Sequence, residues 1–168
     1  MNYIEMNLLK DEKIVYFTRP HWIIFSTPVI FLAALVILSI FSPILFPNYL
    51  PFTKIPLAMV IVLVCLGAVI VSGIGALISY ATSEYAITNK RIMMKIGWIS
   101  RDSLEIFIDK VEAIYVDQSI LGRILDYGKL RIVGTGGTQD PFFYIPHPLV
   151  FRKIAQEQID FGERNKKK

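Results

Sequence analysis

The stretch IPLAMVIVLVCLGAVIVSGIGALISY (Ile55–Tyr80) is followed almost at once by EYAITNKRIMMKI (Glu84–Ile96). The first is continuously apolar and long enough to cross a bilayer as a helix. The second breaks into short β-type runs separated by a polar turn. The border near residue 82 therefore divides a lipid-facing part from a water-facing part. Working upstream, no residue between Arg19 and Lys54 carries a formal charge, nor does any between Lys54 and Glu84. A first span is predicted from Trp22 to Leu45, a reach of roughly 36 Å against a hydrocarbon layer of ~30 Å. Trp22 sits where an amphipathic ring prefers the headgroup level, Pro28 falls in the early turns, and Pro43 and Pro47 mark the end. The second span is predicted over 55–80. The short connection between them offers Phe46, Tyr49 and Phe52 as interfacial anchors. Ala68, Ser72 and Ala76, with Gly75 and Ser79 beside them, form a row of small residues that permits close helix–helix contact, within the chain or between copies.

The chain of 168 residues is 54% hydrophobic and 19% charged, with a mean hydropathy of +0.50. The apolar excess is concentrated in the two runs, as in a membrane protein rather than in a soluble one with a rich core. Lys10, Lys13 and Arg19 precede the first span, Lys90, Arg91, Lys95 and Arg101 follow the second, and Lys54 alone lies between. This asymmetry places both termini in the cytoplasm of a multi-pass inner-membrane protein. Glu5, Asp11 and Glu12 near the N-terminus and the length of the apolar run argue against a cleaved signal peptide. A lone Cys65 cannot form an intrachain disulfide, and His21 and His147 are too few for a zinc or di-metal site. The predicted organisation is a cytoplasmic segment over 1–20, two helices within 21–82, one small domain over 83–162 and a basic tail over 163–168.

Within the small domain, strands are expected at 85–88 and 91–96, a third starting at 98–101, and others at 110–116, 129–133 and 142–145. A short helical link is expected at 119–125 and a turn at 134–140. Pro148 suits the first turn of a final helix, and Leu149, Val150, Ile154, Gln158 and Phe161 approximate one stripe of it, with Gly162 as its end.

Several of these segments, in this order, resemble a known family. YAITNKR (Tyr85–Arg91), Gly97, IDKVEAI (Ile108–Ile114), QSILGRIL (Gln118–Leu125) and Tyr127-Gly128 resemble the bacterial pleckstrin-homology-like domain, which commonly follows a pair of membrane helices. EKIVYFTRPHW (Glu12–Trp22) resembles the segment those proteins place before their first span. The resemblance covers nearly the whole chain. It implies an α+β protein: a two-helix transmembrane hairpin followed by a PH-like antiparallel β-barrel or sandwich with a C-terminal helix. For function it implies little. Relatives in fold include phosphoinositide readers and protein-binding modules, and no phosphoinositide-reading motif can be carried over to residues of this chain.

The chemistry-bearing patterns are weak. GTGGT at 134–138 lacks the Gly-Lys-Ser/Thr ending of a phosphate loop and reads as a hairpin turn. Ser119, His147 and Asp109 could be listed as a triad, but no local motif supports it, and His147 between Pro146 and Pro148 reads as a helix entry. Asp102, Glu105 and Asp109 alternate with apolar residues, as on a solvated strand face. The sequence therefore predicts no catalytic, cofactor or metal site and no small-molecule substrate. Lys90, Arg91, Lys95 and Arg101 are candidates for contact with anionic lipid, worth about 1 kcal/mol per charge near a membrane surface. Basic and acidic residues balance between Glu84 and Gly162, however, which argues against a strong electrostatic reader. The isoelectric point near 9.2 comes mostly from the tail, so nucleic acid is not expected. Residues 12–18 are β-prone and are expected to pack on the domain, adding a strand. The expected function is that of a membrane-anchored, non-enzymatic module binding a protein partner or further copies of itself. Anionic-lipid sensing is the alternative. A transporter or channel subunit is a third reading, disfavoured because neither span carries an ionisable residue, apart from Cys65, that would mark a charged pathway.

Overall fold

The computed structural model describes residues 3–45, 57–97, 102–138 and 141–166. The expected interfacial anchors Phe46, Tyr49 and Phe52, and the expected strand start at 98–101, lie outside them. The chain forms two compact units, Met1–Trp22 with Ser79–Lys168, and Ile23–Ile78.

The second unit consists of long apolar helix. A single 3-10 turn, Trp22–Phe25, leads into a helix that ends at Leu45, and another begins at Leu57 and runs on to Thr82. Pro28 is accommodated because the first turn of a helix has no intrahelical partner for its missing N–H. The segments Trp22–Phe41 and Met59–Thr82 are each long and apolar enough to cross a membrane, and no residue of the first is buried inside the protein. The hydroxyls do not demand water: Ser39 donates to the Val36 carbonyl at 2.8 Å and Ser72 to the Ala68 carbonyl at 2.6 Å. An apolar helix can hold such groups by bonding them to its own backbone.

The first unit is α+β. A short helix, α1 (Tyr3–Met6), precedes β1 (Ile14–Thr18); counting the apolar helices Ser26–Leu45 and Leu57–Thr82 as α2 and α3, the chain continues through β2 (Glu84–Thr88), β3 (Arg91–Ile96) and β4 (Asp102–Phe107). These four strands form one antiparallel sheet in sequence order. A 3-10 turn, Ile108–Lys110, leads to β5 (Val111–Asp117), α4 (Ile120–Ile124), β6 (Tyr127–Gly134), β7 (Gly137–Thr138), β8 (Phe142–Pro146) and α5 (Pro148–Lys166). β6 is the centre of the second sheet. It pairs with β5 along one edge and with β7 and β8 along the other.

The two sheets face each other as a sandwich rather than closing into a barrel. Tyr85, Ile87, Ile92 and Met94 from the first meet Leu130, Ile132, Phe142 and Ile145 from the second, and Phe151 and Ala155 of α5 close the end. The alternation of β2 and β3 explains the remaining burial. Ala86 and Met93 point to the opposite face, where Ile4 of α1 covers them together with Tyr3, Ile14 and Phe17. Both faces of β2 and of the first part of β3 are thus buried, and β1 is the strand that the N-terminal segment was expected to add.

Two details depart from the sequence reading. The segment at 134–140 is not all turn, because Gly137 and Thr138 fold back as a short strand on Val133 and Gly134. The last helix passes Gly162 and continues to Lys166. Gly162 does not stop it because a glycine ends a helix only where the chain turns left-handed. Here the residues that follow include Glu163 and Arg164, good helix formers.

Candidate functional site

Among the described residues, the basic side chains that follow α3, Lys90, Arg91 and Lys95, contact the N-terminal segment. Arg91 is buried, and its guanidinium donates to both oxygens of Glu12, at 3.0 and 3.1 Å, and to Glu105 at 2.5 Å. It also donates to the Asn7 carbonyl. Glu12 accepts further bonds from the Thr88 hydroxyl (2.6 Å) and the Leu9 N–H (2.7 Å). Burial pushes the Glu12 carboxyl up, but the bonds from Thr88, Leu9 and Arg91 outweigh it and hold the group below the ordinary carboxylate range. Lys90 donates its ammonium to the Lys10 carbonyl at 2.5 Å, and Lys95 lies 4.5 Å from the centre of the Tyr3 ring. Asn89 and Lys13 exchange backbone and side-chain bonds. Three of the four basic candidates are therefore engaged with residues 3–12, and Arg101 lies outside the described residues. Glu105, read as part of a solvated strand face, is a partner of Arg91. The sequence did not announce this cluster, since Arg91 and Glu12 are 79 positions apart. Its one signal was the run Ile92-Met-Met94, apolar on both faces of a strand.

The small-residue row of α3 runs along one side of the helix, because its members are spaced three and four residues apart, but its burial is uneven. Ala76 is buried, Ala68, Ser72 and Ser79 are half-buried and Gly75 is exposed. A Cβ at Gly75 would meet nothing within 4 Å, while one on Gly73 would lie 4.0 Å from Pro28 of α2.

A groove of about 510 Å³ opens beside α5. It is lined by the apolar Phe107, Ile108, Val111 and Ile159 and by the charged Lys90, Asp109 and Glu163. The mixed lining suits a peptide segment with both apolar and charged side chains.

At the other end of α5, His147 and Asp126 make a short exposed pair, Nδ1 to Oδ2 at 2.5 Å. The His147 N–H donates to the Asp126 carbonyl, and the His147 carbonyl accepts from Phe151 at the start of α5, the helix entry expected of His147. His21 stacks on Tyr127 with centroids 5.4 Å apart, and its N–H donates to the Tyr144 carbonyl at 2.6 Å. Burial first and the nearby His147 second lower the His21 pKa, against the opposing pull of Asp126. Asp126, Tyr144 and His147 all adopt positive φ. Ser119 caps α4, accepting from Gly122 N–H at 3.0 Å, while Asp109 lines the groove. Ser119, His147 and Asp109 thus serve in separate places. Among the described residues, no three His, Cys, Asp or Glu side chains come together as a metal site.

Two facing antiparallel sheets, closed at one end by a C-terminal helix, define a PH-like domain. The sequence carries the same assignment: the family model for the bacterial PH domain matches residues 24–159, and the chain belongs to that family. Comparisons with curated proteins and with solved structures gave no match.

Proposed function

We propose that this protein is a membrane-anchored, non-enzymatic interaction module. Two helices hold a PH-like domain at the cytoplasmic face of a bacterial inner membrane, where it binds a protein partner or further copies of itself. The groove beside α5 carries the reading: a lining of both apolar and charged side chains fits a peptide segment better than a small substrate. Membrane anchoring is supported by α2 and α3, whose apolar side chains remain largely unburied by the rest of the chain. Lysine and arginine counts support cytoplasmic termini, since the bias acts during insertion, before Arg91 finds its partners. The small-residue row of α3 then offers a close-approach surface to another helix, with Gly75 open to it. Lipid sensing by Lys90, Arg91 and Lys95 draws less support, because these cations are engaged by the N-terminal segment.

The test is purification of the full-length protein from its native membranes in mild detergent, with molar mass and identification of what accompanies it. A companion, or a defined oligomer, that reassembles in vitro and is lost in Phe107→Glu is expected. A monomer that carries only anionic lipid, released by charge reversal at Lys90 and Lys95, would put lipid sensing ahead.

A further inference from the structure

α4 inverts the usual logic of an amphipathic helix. The residue it buries is Gly122, where a Cβ would stand 2.6 Å from the Tyr127 carbonyl. The residues it shows outward are Ile120, Leu121 and Ile124, at 80, 63 and 73% exposure. Ile120 and Ile124 are more exposed than any large apolar side chain described in α2 or α3. A surface helix normally turns its aliphatic stripe to the core, so folding of this chain does not account for the composition of α4. Nor is the helix loose. Ser119 caps it, and Gln118 donates to the carbonyls of Gly122 and Tyr127 at 3.3 and 3.2 Å.

The position of this face identifies what covers it. Tyr127, whose carbonyl accepts from the same Gln118 amide that bonds Gly122 of α4, stacks its ring on His21. His21 is followed by exposed Trp22 and then by the first apolar helix. Leu149 and Val150, both exposed, open α5 on the far side of the Asp126–His147 contact. Arg123 of α4 and Arg19, two positions before His21, are both exposed. Aliphatic side chains beside an aromatic ring and cations, at the point where the chain leaves for an apolar helix, match the boundary between headgroups and acyl chains.

We infer that α4, with Leu149 and Val150, is a bilayer-contact face. Ile120, Leu121 and Ile124 enter the acyl boundary and Arg123 meets lipid phosphate. The inference rests on the membrane-anchored reading above and adds to it the side of the domain that lies on lipid. The groove near Ile159 and Gly162 lies about 20 Å along α5 from Leu149.

The test uses the full-length protein with Cys65→Ala and one new cysteine at a time: Leu121→Cys, Ile37→Cys in α2, or Lys153→Cys on the exposed side of α5. Each carries an environment-sensitive nitrobenzoxadiazole label in vesicles of phosphatidylethanolamine and phosphatidylglycerol containing a nitroxide lipid. Quenching roughly threefold stronger at Leu121 and Ile37 than at Lys153 is expected, and Ile120→Asp should bring the Leu121 signal down to the Lys153 level. These side chains are mostly exposed, so the substitutions leave the fold intact. Quenching at Ile37 with none at Leu121 would overturn the inference and leave the anchor standing. No quenching at Ile37 would overturn the anchor and the inference together. A Leu121 probe shielded from water, silent to the nitroxide and dependent on protein density would make the face a protein interface instead.

Discussion

The two ends of this small domain use their side chains in opposite ways. At the β1–β4 end, charge is spent internally: Arg91, Glu12, Glu105 and Thr88 satisfy one another, and α1 covers the outer face of the sheet. At the α4 end, aliphatic side chains are left outside, the His147–Asp126 contact stands in solvent, and three non-glycine residues hold positive φ. The first end is built for cohesion. The second presents surface that cohesion does not require, which is what a face meant for something else looks like.

Removing the central charge tests the contrast most severely. Arg91→Ala leaves Glu12 buried and unpaired, and should cost about 3–5 kcal/mol, because a lone buried carboxylate loses more than the pair contributes. Glu12→Ala should cost a similar amount, and the double variant much less than the sum of the two. Denaturant unfolding of the full-length protein in detergent measures all three. Additive losses would mean that the N-terminal segment, residues 3–18, is held by its apolar contacts rather than by the cluster.

Gly122→Ala should come next, at about 1–3 kcal/mol. Its methyl would press on the Tyr127 carbonyl, so α4 has to shift. Hydrogen exchange should rise at α4 and the start of α5 and stay unchanged in β2 and β3. Loss of protection throughout would show that the two ends unfold as one.

Acid should weaken both ends, at different pH. The Glu12 carboxyl is held below its ordinary range, so its contribution is complete above the unfolded carboxylate value and fades as pH falls through the folded one. His21 is held low as well and is favoured neutral in the fold. Its contribution is complete above the ordinary histidine value of about 6.5 and is lost below it. The α4 end should therefore loosen first on acidification, and the N-terminal segment later, near the carboxylate range. His21→Phe, which keeps the ring on Tyr127, should remove the earlier step. Hydrogen exchange followed against pH separates the two, and a single step shared by both ends would erase the distinction.

The sequence was informative where local pattern governs. The apolar spans, the short helix at α4, the final helix and most strands follow from period, turn residues and charge-free length. The N-terminal strand was legible because IVYFT (Ile14–Thr18) is β-prone and adjacent to nothing else it could pair with locally. What was not legible depends on distant pairing. Arg91 read as a surface cation because it stands among Lys90 and Lys95, and only the return of residues 7–12 over the sheet makes it a core residue. The exposure of Ile120, Leu121 and Ile124 was hidden for the complementary reason. An aliphatic cluster in a short helix reads as core, and only the close approach of Gly122 to Tyr127 shows which side of that helix faces in.

The smallest expected effect is the most telling for the comparison. Ile120→Ser and Leu121→Ser should each change unfolding stability by no more than about 0.5 kcal/mol in detergent, the usual range for surface positions. A buried Leu or Ile cut back this far would cost several times more, about 2–5 kcal/mol. Both substitutions remove apolar surface that the protein itself leaves open, so the folded chain has little to lose. If the loss instead reached the buried range, these side chains would be packing against something within the protein in solution, and the α4 end would belong with the cohesive one. A negligible loss in detergent, joined to a measurable drop in nitroxide quenching in vesicles, would separate the two ends by function: one holds the domain together, the other meets the membrane.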